Sequence, residues 1–164
     1  MGNFQIFGLQ FVLSIIVYAL VIRWYAVRWL AAMPLRNALM LLVLPHLLFR
    51  HLGMTFLSTA VVSSELPRSF AAQIGYGDLL SQALALISIV ALRATWGIAW
   101  GALWVFNIVG SVDLLNALYR GIQLDAPRYQ IGAAWYIPTF GVPFLLVTHY
   151  MIFAALLRRP RAAR

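Results

Sequence analysis

Residues 38–62 read ALMLLVLPHLLFRHLGMTFLSTAVV, an apolar run that carries one arginine, Arg50, near its centre. A helix of about 20 apolar residues is long enough to cross a bilayer. A guanidinium stays charged at any physiological pH, and a charge near the bilayer centre costs at least about 2.5–3.5 kcal/mol. The run therefore predicts a membrane helix whose arginine is compensated by acids from neighbouring helices.

Four further apolar segments have a similar length, and the five expected spans cover residues 4–22, 38–62, 70–92, 96–119 and 132–157. The whole chain is 63% hydrophobic and only 10% charged, whereas a soluble domain carries about 25% charged residues. We therefore expect an all-α, polytopic integral membrane protein in which residues 1–164 form a single transmembrane helical bundle. The sequence contains no cysteine, so its own side chains can form neither disulfides nor thiolate metal sites.

The arginines predict the orientation of this bundle. The net charge of +8 comes from arginine alone, because the chain has no lysine. If the N-terminus lies outside, eight arginines fall on the inner side, including Arg23 and Arg28 in the expected connection after the first span. The other six are Arg36, Arg93, Arg158, Arg159, Arg161 and Arg164, and the outer side receives only Arg68, Arg120 and Arg128. Positive charge favours the cytoplasmic side, so we expect an N-out, C-in arrangement in a bacterial inner membrane.

The same distribution argues against nucleic-acid binding, because the arginines form no basic face away from the helix ends. Their position next to the spans is better explained by lipid headgroups. The lipid bilayer is therefore the expected partner.

Only four acids are present in the chain, and two of them, Asp78 and Asp113, fall inside predicted spans at a similar depth. In the third span, polar residues recur at three- and four-residue spacing and so share one helix face. In the fourth span, Gly110, Asp113 and Asn116 follow one another at three-residue steps. Polar residues inside a membrane helix face the bundle interior or a water-filled cavity. The candidate ligand- or ion-binding residues are Arg50, His51, Asp78, Ser81, Gln82, Asp113 and Asn116.

A second interpretation of these charges is structural, since a buried ion pair can serve to fix the register of helices. The histidines also allow more than one interpretation. His46 and His149 fall at nearly the same depth on different spans, and two such residues can ligate a haem from both sides. They can equally be hydrogen-bonded interior histidines or members of a proton relay. No other cofactor is expected, and no metal site, because His46 and His51 lack the four-residue spacing that stacks two ligands on a helix.

Residues 75–78 read GYGD, which resembles the G-x-G-D string that intramembrane aspartyl proteases carry on a catalytic helix. The resemblance covers these four residues. It implies that Asp78 and a second acid share a proton and activate water, which makes Asp78 and Asp113 the candidate catalytic residues. In those families the partner acid precedes the motif, whereas Asp113 follows it.

We expect the protein to bind or translocate protons, an ion or a small ligand in a cavity lined by the second, third and fourth spans, with His51 as a relay. Five helices scarcely enclose a pathway alone, so transport would imply a homo-oligomer. The alternatives are a non-catalytic accessory or assembly subunit of a larger membrane complex, an intramembrane aspartyl protease and a haem-binding protein. An enzyme is the less favoured class.

Overall fold

The computed structural model describes residues 1–158, and within that range the chain is all-helical with no strand. Five helices are long and apolar enough to cross a membrane, which is the number that the sequence predicts. They are α1 Asn3–Ala31, α2 Leu35–Leu57, α3 Arg68–Arg93, α4 Ala99–Gln123 and α5 Gly132–Leu157. A short 3-10 turn, Ala126–Arg128, lies between α4 and α5.

Helix α1 continues well past residue 22, where the first span was expected to end. It passes through a π turn, Ile22–Ala26, and ends at Ala31. Arg23 and Arg28 therefore lie on the helix, and their predicted position in the connection is wrong. Arginine is a good helix former, and the first residue able to stop the helix is Pro34, which disfavours helical backbone in the residue before it.

Helix α2 ends before the predicted limit at residue 62. Its first part, Leu35–Phe49, is α-helical, and its second part, Arg50–Leu57, is a 3-10 helix that stops where Ser58 adopts an extended conformation. The apolar residues that follow belong to turns leading to α3. The 3-10 form rises about 2.0 Å per residue compared with 1.5 Å in an α-helix, so fewer residues cover the same distance.

Helix α1 lies at the periphery of the bundle, with none of its residues buried between Asn3 and Val21. It packs mainly on α5. Phe7 meets Trp135 edge to face at 5.4 Å between ring centroids, and Tyr18 meets Phe140 at the same distance. The indole N–H of Trp135 also donates a 2.6 Å hydrogen bond to Oε1 of Gln10.

The buried apolar side chains form two clusters at opposite ends of the bundle. The larger one draws on α2, α3, α4 and α5; its members are Leu39, Leu42, Val43, Ala85, Ile89, Ala91, Leu92, Ala99, Leu103, Phe106, Ile152 and Leu156. The smaller one consists of Phe56, Val62, Leu66, Phe70, Ala71, Ile131 and Ala134. Along each of α2 and α3, the buried charged residue falls between the members of the two clusters. The polar centre of the bundle therefore lies between two apolar layers.

The tight connection between α3 and α4 is a Schellman turn. The backbone N–H of Trp96 donates to the carbonyl of Ala91, and that of Thr95 donates to the carbonyl of Leu92. This pattern requires a left-handed residue at Thr95, whose φ is 58°. Glycine is the usual residue in this position, and a β-branched side chain is strained there.

Candidate functional site

Arg50 is the centre of a buried ion cluster, by which we mean Arg50, Asp78 and Asp113. Its side chain is fully enclosed, with 1% of the residue exposed. Nη1 donates to Oδ1 of Asp78 at 2.5 Å and to Oδ2 of Asp113 at 2.7 Å. The predicted contact between the arginine and both acids is therefore present. One permanent cation faces two carboxylates, so the cluster carries a net charge of −1 when both acids are ionised.

The other terminal nitrogen of Arg50 attaches the cluster to α4 and α5. Nη2 donates to the backbone carbonyl of Gly110 at 2.6 Å and lies 3.3 Å from Nε2 of His149. A guanidinium has no acceptor, so Nε2 accepts and the ring proton of neutral His149 sits on Nδ1. That assignment agrees with Asn107, whose Oδ1 lies 2.7 Å from Nδ1 and whose amide donates to the carbonyl of His149 at 3.2 Å.

Three glycines let the backbone approach the ion cluster closely. A Cβ at Gly53 would lie 1.8 Å from Oδ2 of Asp78, and a Cβ at Gly77 would lie 1.9 Å from Oδ1 of Asp113. At Gly110 it would lie 2.8 Å from Nε2 of His149, which accepts from Nη2 of Arg50. Real side chains essentially never make such contacts, so only glycine leaves room for these charged groups in their present positions.

This packing accounts for the GYGD string. Gly75 faces the side chain of Leu57 and Gly77 faces Asp113, so both glycines are needed for close helix packing. A guanidinium nitrogen lies between the two carboxylates, at the place where the protease mechanism requires a catalytic water. The geometry around Asp78 and Asp113 is therefore that of a bridged ion pair and does not fit an aspartyl dyad.

His46 and His149 do meet, but their arrangement does not fit a haem. A haem bound from both sides would separate the two rings by the porphyrin plane, with one nitrogen of each ring directed at the iron. Instead the ring centroids are 4.1 Å apart. Nε2 of His46 lies 2.9 Å from Oγ1 of Thr148, while His149 uses its nitrogens on Arg50 and Asn107. In this arrangement the rings of His46 and His149 pack directly on each other, which does not fit a haem held between them.

The remaining predicted site residues lie apart from the ion cluster. Nε2 of Gln82 donates to the carbonyl of Leu47 at 2.7 Å and lies 3.3 Å from Nδ1 of His51. The side chain of His51 is exposed, and its ring meets Gln82 and not the guanidinium of Arg50, so its predicted place in a relay beside the cluster is not supported by the geometry. Ser81 is fully buried, and its hydroxyl has no hydrogen-bond partner within residues 1–158. Asn116 is exposed on α4.

Asn116 lies outside the ion cluster because of the number of residues per helical turn. The buried residues of α4 include Leu103, Asn107, Gly110 and Leu114, which follow the three- and four-residue spacing of one helix face. Successive three-residue steps drift by about 60° per step, because a helix has 3.6 residues per turn. The steps from Gly110 through Asp113 to Asn116 therefore leave the buried face.

A cavity of about 310 Å³ borders the ion cluster. Asp78 and Asp113 are the two polar side chains in its lining, and Arg50 lies behind them, outside the lining. The remaining walls are apolar, formed by α1, the end of α2, α3, α4, the 3-10 turn and the start of α5; they include Phe4, Phe7, Gly8, Phe11, Val12, Phe56, Phe70, Leu114 and Leu118. The predicted cavity thus involves α1, which the sequence did not associate with the site.

A protein family described as a domain of unknown function, DUF8737, matches residues 6–157. The chain belongs to this family. The match includes the ion cluster, the three glycines around it and most of the cavity lining. Neither the curated proteins nor the solved structures contain a match to the chain.

Four residues that sequence reasoning did not select complete the site: Gly53, Gly77, Asn107 and Thr148. Gly53 carries no sequence signal beyond being a glycine three residues after Arg50 in the same apolar run. Asn107 could have been found, because an amide inside a membrane helix needs a partner as much as a carboxylate does. It lies three residues before Gly110, on the face that the structure buries.

Proposed function

We propose that this chain is an integral membrane protein, a single five-span bundle with an N-out and C-in orientation, that binds a positively charged species at its ion cluster. The bound species is a proton, an ion or a small ligand. Translocation of that species would require further copies of the chain, because five helices scarcely enclose a pathway.

The outer surface of the bundle supports the membrane setting. The helices are long and apolar enough to cross a bilayer, and large apolar side chains such as Leu9, Val17, Leu80 and Val112 are exposed on them. A soluble protein rarely exposes apolar patches of this extent. The arginine distribution supports the orientation through the positive-inside bias. Of the eight arginines that favour it, Arg159, Arg161 and Arg164 lie outside the described residues.

The observation that carries the binding function is the charge imbalance of the ion cluster beside a cavity. A register-setting ion pair is complete with one acid per arginine, since its stability depends on charge compensation and full hydrogen bonding. Here two acids face one arginine, and the carboxyl side chains of Asp78 and Asp113 remain 10% and 14% exposed while that of Arg50 is fully covered. The excess negative charge is thus turned toward the cavity, where a cation would neutralise it.

Native mass spectrometry of the protein purified in mild detergent tests this function. We expect a small molecule or cation to remain bound to the wild type and to be lost from Asp113→Asn, which makes the cluster neutral. The control is Asn116→Leu, a change of an exposed polar residue one turn away on the same helix, and we expect it to retain the bound species.

The same three proteins are then unfolded thermally across pH and in sodium, potassium and alkylammonium salts. Binding at the cluster predicts a response in the wild type and in Asn116→Leu that Asp113→Asn lacks. If the wild type retains nothing, and pH and cations shift all three midpoints equally, the binding function is refuted and the accessory-subunit alternative is favoured.

A further inference from the structure

We propose that the cavity beside the ion cluster is a site for an amphiphilic organic amine, with its protonated nitrogen against Asp78 and Asp113 and its apolar body among the phenylalanines. This inference rests on the proposed function and specifies the class of ligand.

The cavity has one polar end and otherwise apolar walls. Asp78 and Asp113 form the polar end, and aromatic and aliphatic side chains form the remainder. At about 310 Å³ the cavity is at the lower end of the 300–1,000 Å³ range of small-molecule sites. Its shape and chemistry therefore match a molecule with an apolar body and one polar head.

The sign of the charge selects a cationic head. Each carboxylate uses one oxygen on Arg50, while Oδ2 of Asp78 and Oδ1 of Asp113 accept no hydrogen bond from the described residues. A ligand in the cavity meets these carboxylates first, because the guanidinium of Arg50 lies behind them. An anionic head would be repelled by both acids, and a neutral hydroxyl would leave the excess charge in place.

An organic ammonium fits better than a divalent metal ion. Ca²⁺ takes six to eight oxygen ligands and Mg²⁺ requires an octahedral set, but the cavity lining provides only two carboxylates among apolar walls. Among residues 1–158, no group of three or more histidines, cysteines or acids is placed to hold a metal. An ammonium group brings three N–H donors of its own for two carboxylates, and its carbon chain fills the apolar space.

The rim of the cavity gives this ligand a route from the bilayer. Phe4, Val12 and Ile122 line the cavity and are also 45%, 52% and 60% exposed on the outer surface of the bundle. The opening thus lies on a surface that lipid would cover in the proposed membrane setting. Helix α1 packs mainly on α5, so the cavity lies between α1 on one side and α3 and α4 on the other.

Gly8 offers a way to block the cavity without disturbing the charges. It lines the cavity, and a Cβ placed on it meets no atom within 4 Å. A leucine at this position would extend into the open space that the ligand is proposed to fill. Gly101 on α4 is the matched control, because a Cβ there also meets no atom within 4 Å and the residue does not line the cavity.

Photoaffinity labelling tests the proposal. The probe is dodecylamine carrying a diazirine in its chain, added at neutral pH to the protein in nanodiscs, and the matched probe is the corresponding dodecanol. We expect the amine to label peptides that contain residues 4–12 and 114–122, and we expect unlabelled dodecylamine to compete while dodecanol does not. Gly8→Leu should abolish this labelling and Gly101→Leu should preserve it.

The charge is tested with Asp113→Asn, for which we expect amine binding to weaken about ten- to a hundredfold, the equivalent of losing one charge-assisted hydrogen bond. Thermal unfolding checks that each variant is folded. If Asp113→Asn is not folded, the labelling of Gly8→Leu tests the proposal.

Equal labelling by the amine and the alcohol, unaffected by Asp113→Asn, would overturn the proposal in favour of an apolar lipid-filled space. No amine labelling, together with an Asp113-dependent ligand in native mass spectrometry, would overturn it and leave the proposed function standing. If neither ligand nor labelling is found, and pH and cations also shift the unfolding midpoints of the wild type and Asp113→Asn equally, both are wrong.

Discussion

Replacing Arg50 with methionine is expected to destabilise the bundle more than removing all three charges of the ion cluster. Methionine is unbranched, fills the site to about the position of Nε and removes the cation, and the space left by the rest of the guanidinium is the same in both variants. The two carboxylates that Nη1 now bridges at 2.5 and 2.7 Å would then face each other without a counter-charge. Breaking a buried ion pair by removing one partner costs about 3–5 kcal/mol. Because Arg50 has 1% of its surface exposed, solvent screening reduces this value little.

The comparison is a triple variant, Arg50→Met with Asp78→Asn and Asp113→Asn. It has no charge left to compensate, and replacement of a buried ion pair by neutral groups of similar volume is often nearly neutral in stability. We therefore expect the triple variant to recover about half or more of the 3–5 kcal/mol that the single variant loses. With Arg50 gone, the two asparagine amides lose the hydrogen-bond donor that the carboxylates had. The triple variant is therefore not expected to recover the full stability of the wild type.

The assay is equilibrium unfolding in mixed micelles with increasing SDS, followed by the fluorescence of the six tryptophans. The free energy of unfolding is compared between the wild type, the single variant and the triple variant. If Arg50→Met loses less than about 1 kcal/mol, the electrostatic reasoning is wrong. If the triple variant is as unstable as the single one, the side chain of Arg50 acts through packing and its bond to Gly110, and charge compensation is not the cause.

Three further predictions concern packing, backbone and topology. Gly77→Ala should lower the free energy of unfolding by about 1–3 kcal/mol, because the new Cβ displaces Asp113. Gly101→Ala, whose Cβ meets open space, should raise it by up to about 1 kcal/mol. Both changes are measured from the unfolding midpoint, and equal effects would contradict close packing at Gly77. Thr95→Gly should raise the stability by about 1 kcal/mol by removing the strain of a left-handed threonine, and a loss measured by the same assay would count against the Schellman turn. The chain has no cysteine, so single cysteines introduced as Ser64→Cys and Ala94→Cys can report the topology. An impermeant maleimide added to whole cells should label Ser64→Cys, and it should label Ala94→Cys only after the cells are permeabilised. The reverse pattern would contradict the N-out orientation.

The number and approximate position of the five helices could be predicted from apolar run length, because a bilayer-spanning helix requires about 20 such residues. The helix ends could not. Hydropathy continues through residues 58–62 although the backbone has already left the helix after Leu57. The apolar character of a segment reports its surroundings, whereas the end of a helix depends on local backbone conformation.

The ion cluster itself was predictable, because a buried permanent cation requires an acid beside it and Asp78 and Asp113 are the two acids inside the predicted spans. Position along a helix does not determine direction around it: Asn116, three residues after Asp113, and His51, next to Arg50, were expected at the site and lie outside the cluster. The same limitation explains His46 and His149. Their common depth correctly brings them together, but only the rotation of α2 and α5 determines that the rings touch.

The glycines give the ion cluster a property that the charges alone do not provide. Arg50 holds one oxygen of each acid, and the backbones of Gly53 and Gly77 close in on the other oxygen of Asp78 and Asp113. Both carboxylates are therefore fixed in position before any ligand arrives. A preorganised acceptor binds more tightly than a mobile one, because the ligand does not have to order the groups that bind it. An arrangement that served only to set helix register would need the arginine and one acid. The proposed cation site accounts for the second acid, its glycine and the adjoining cavity.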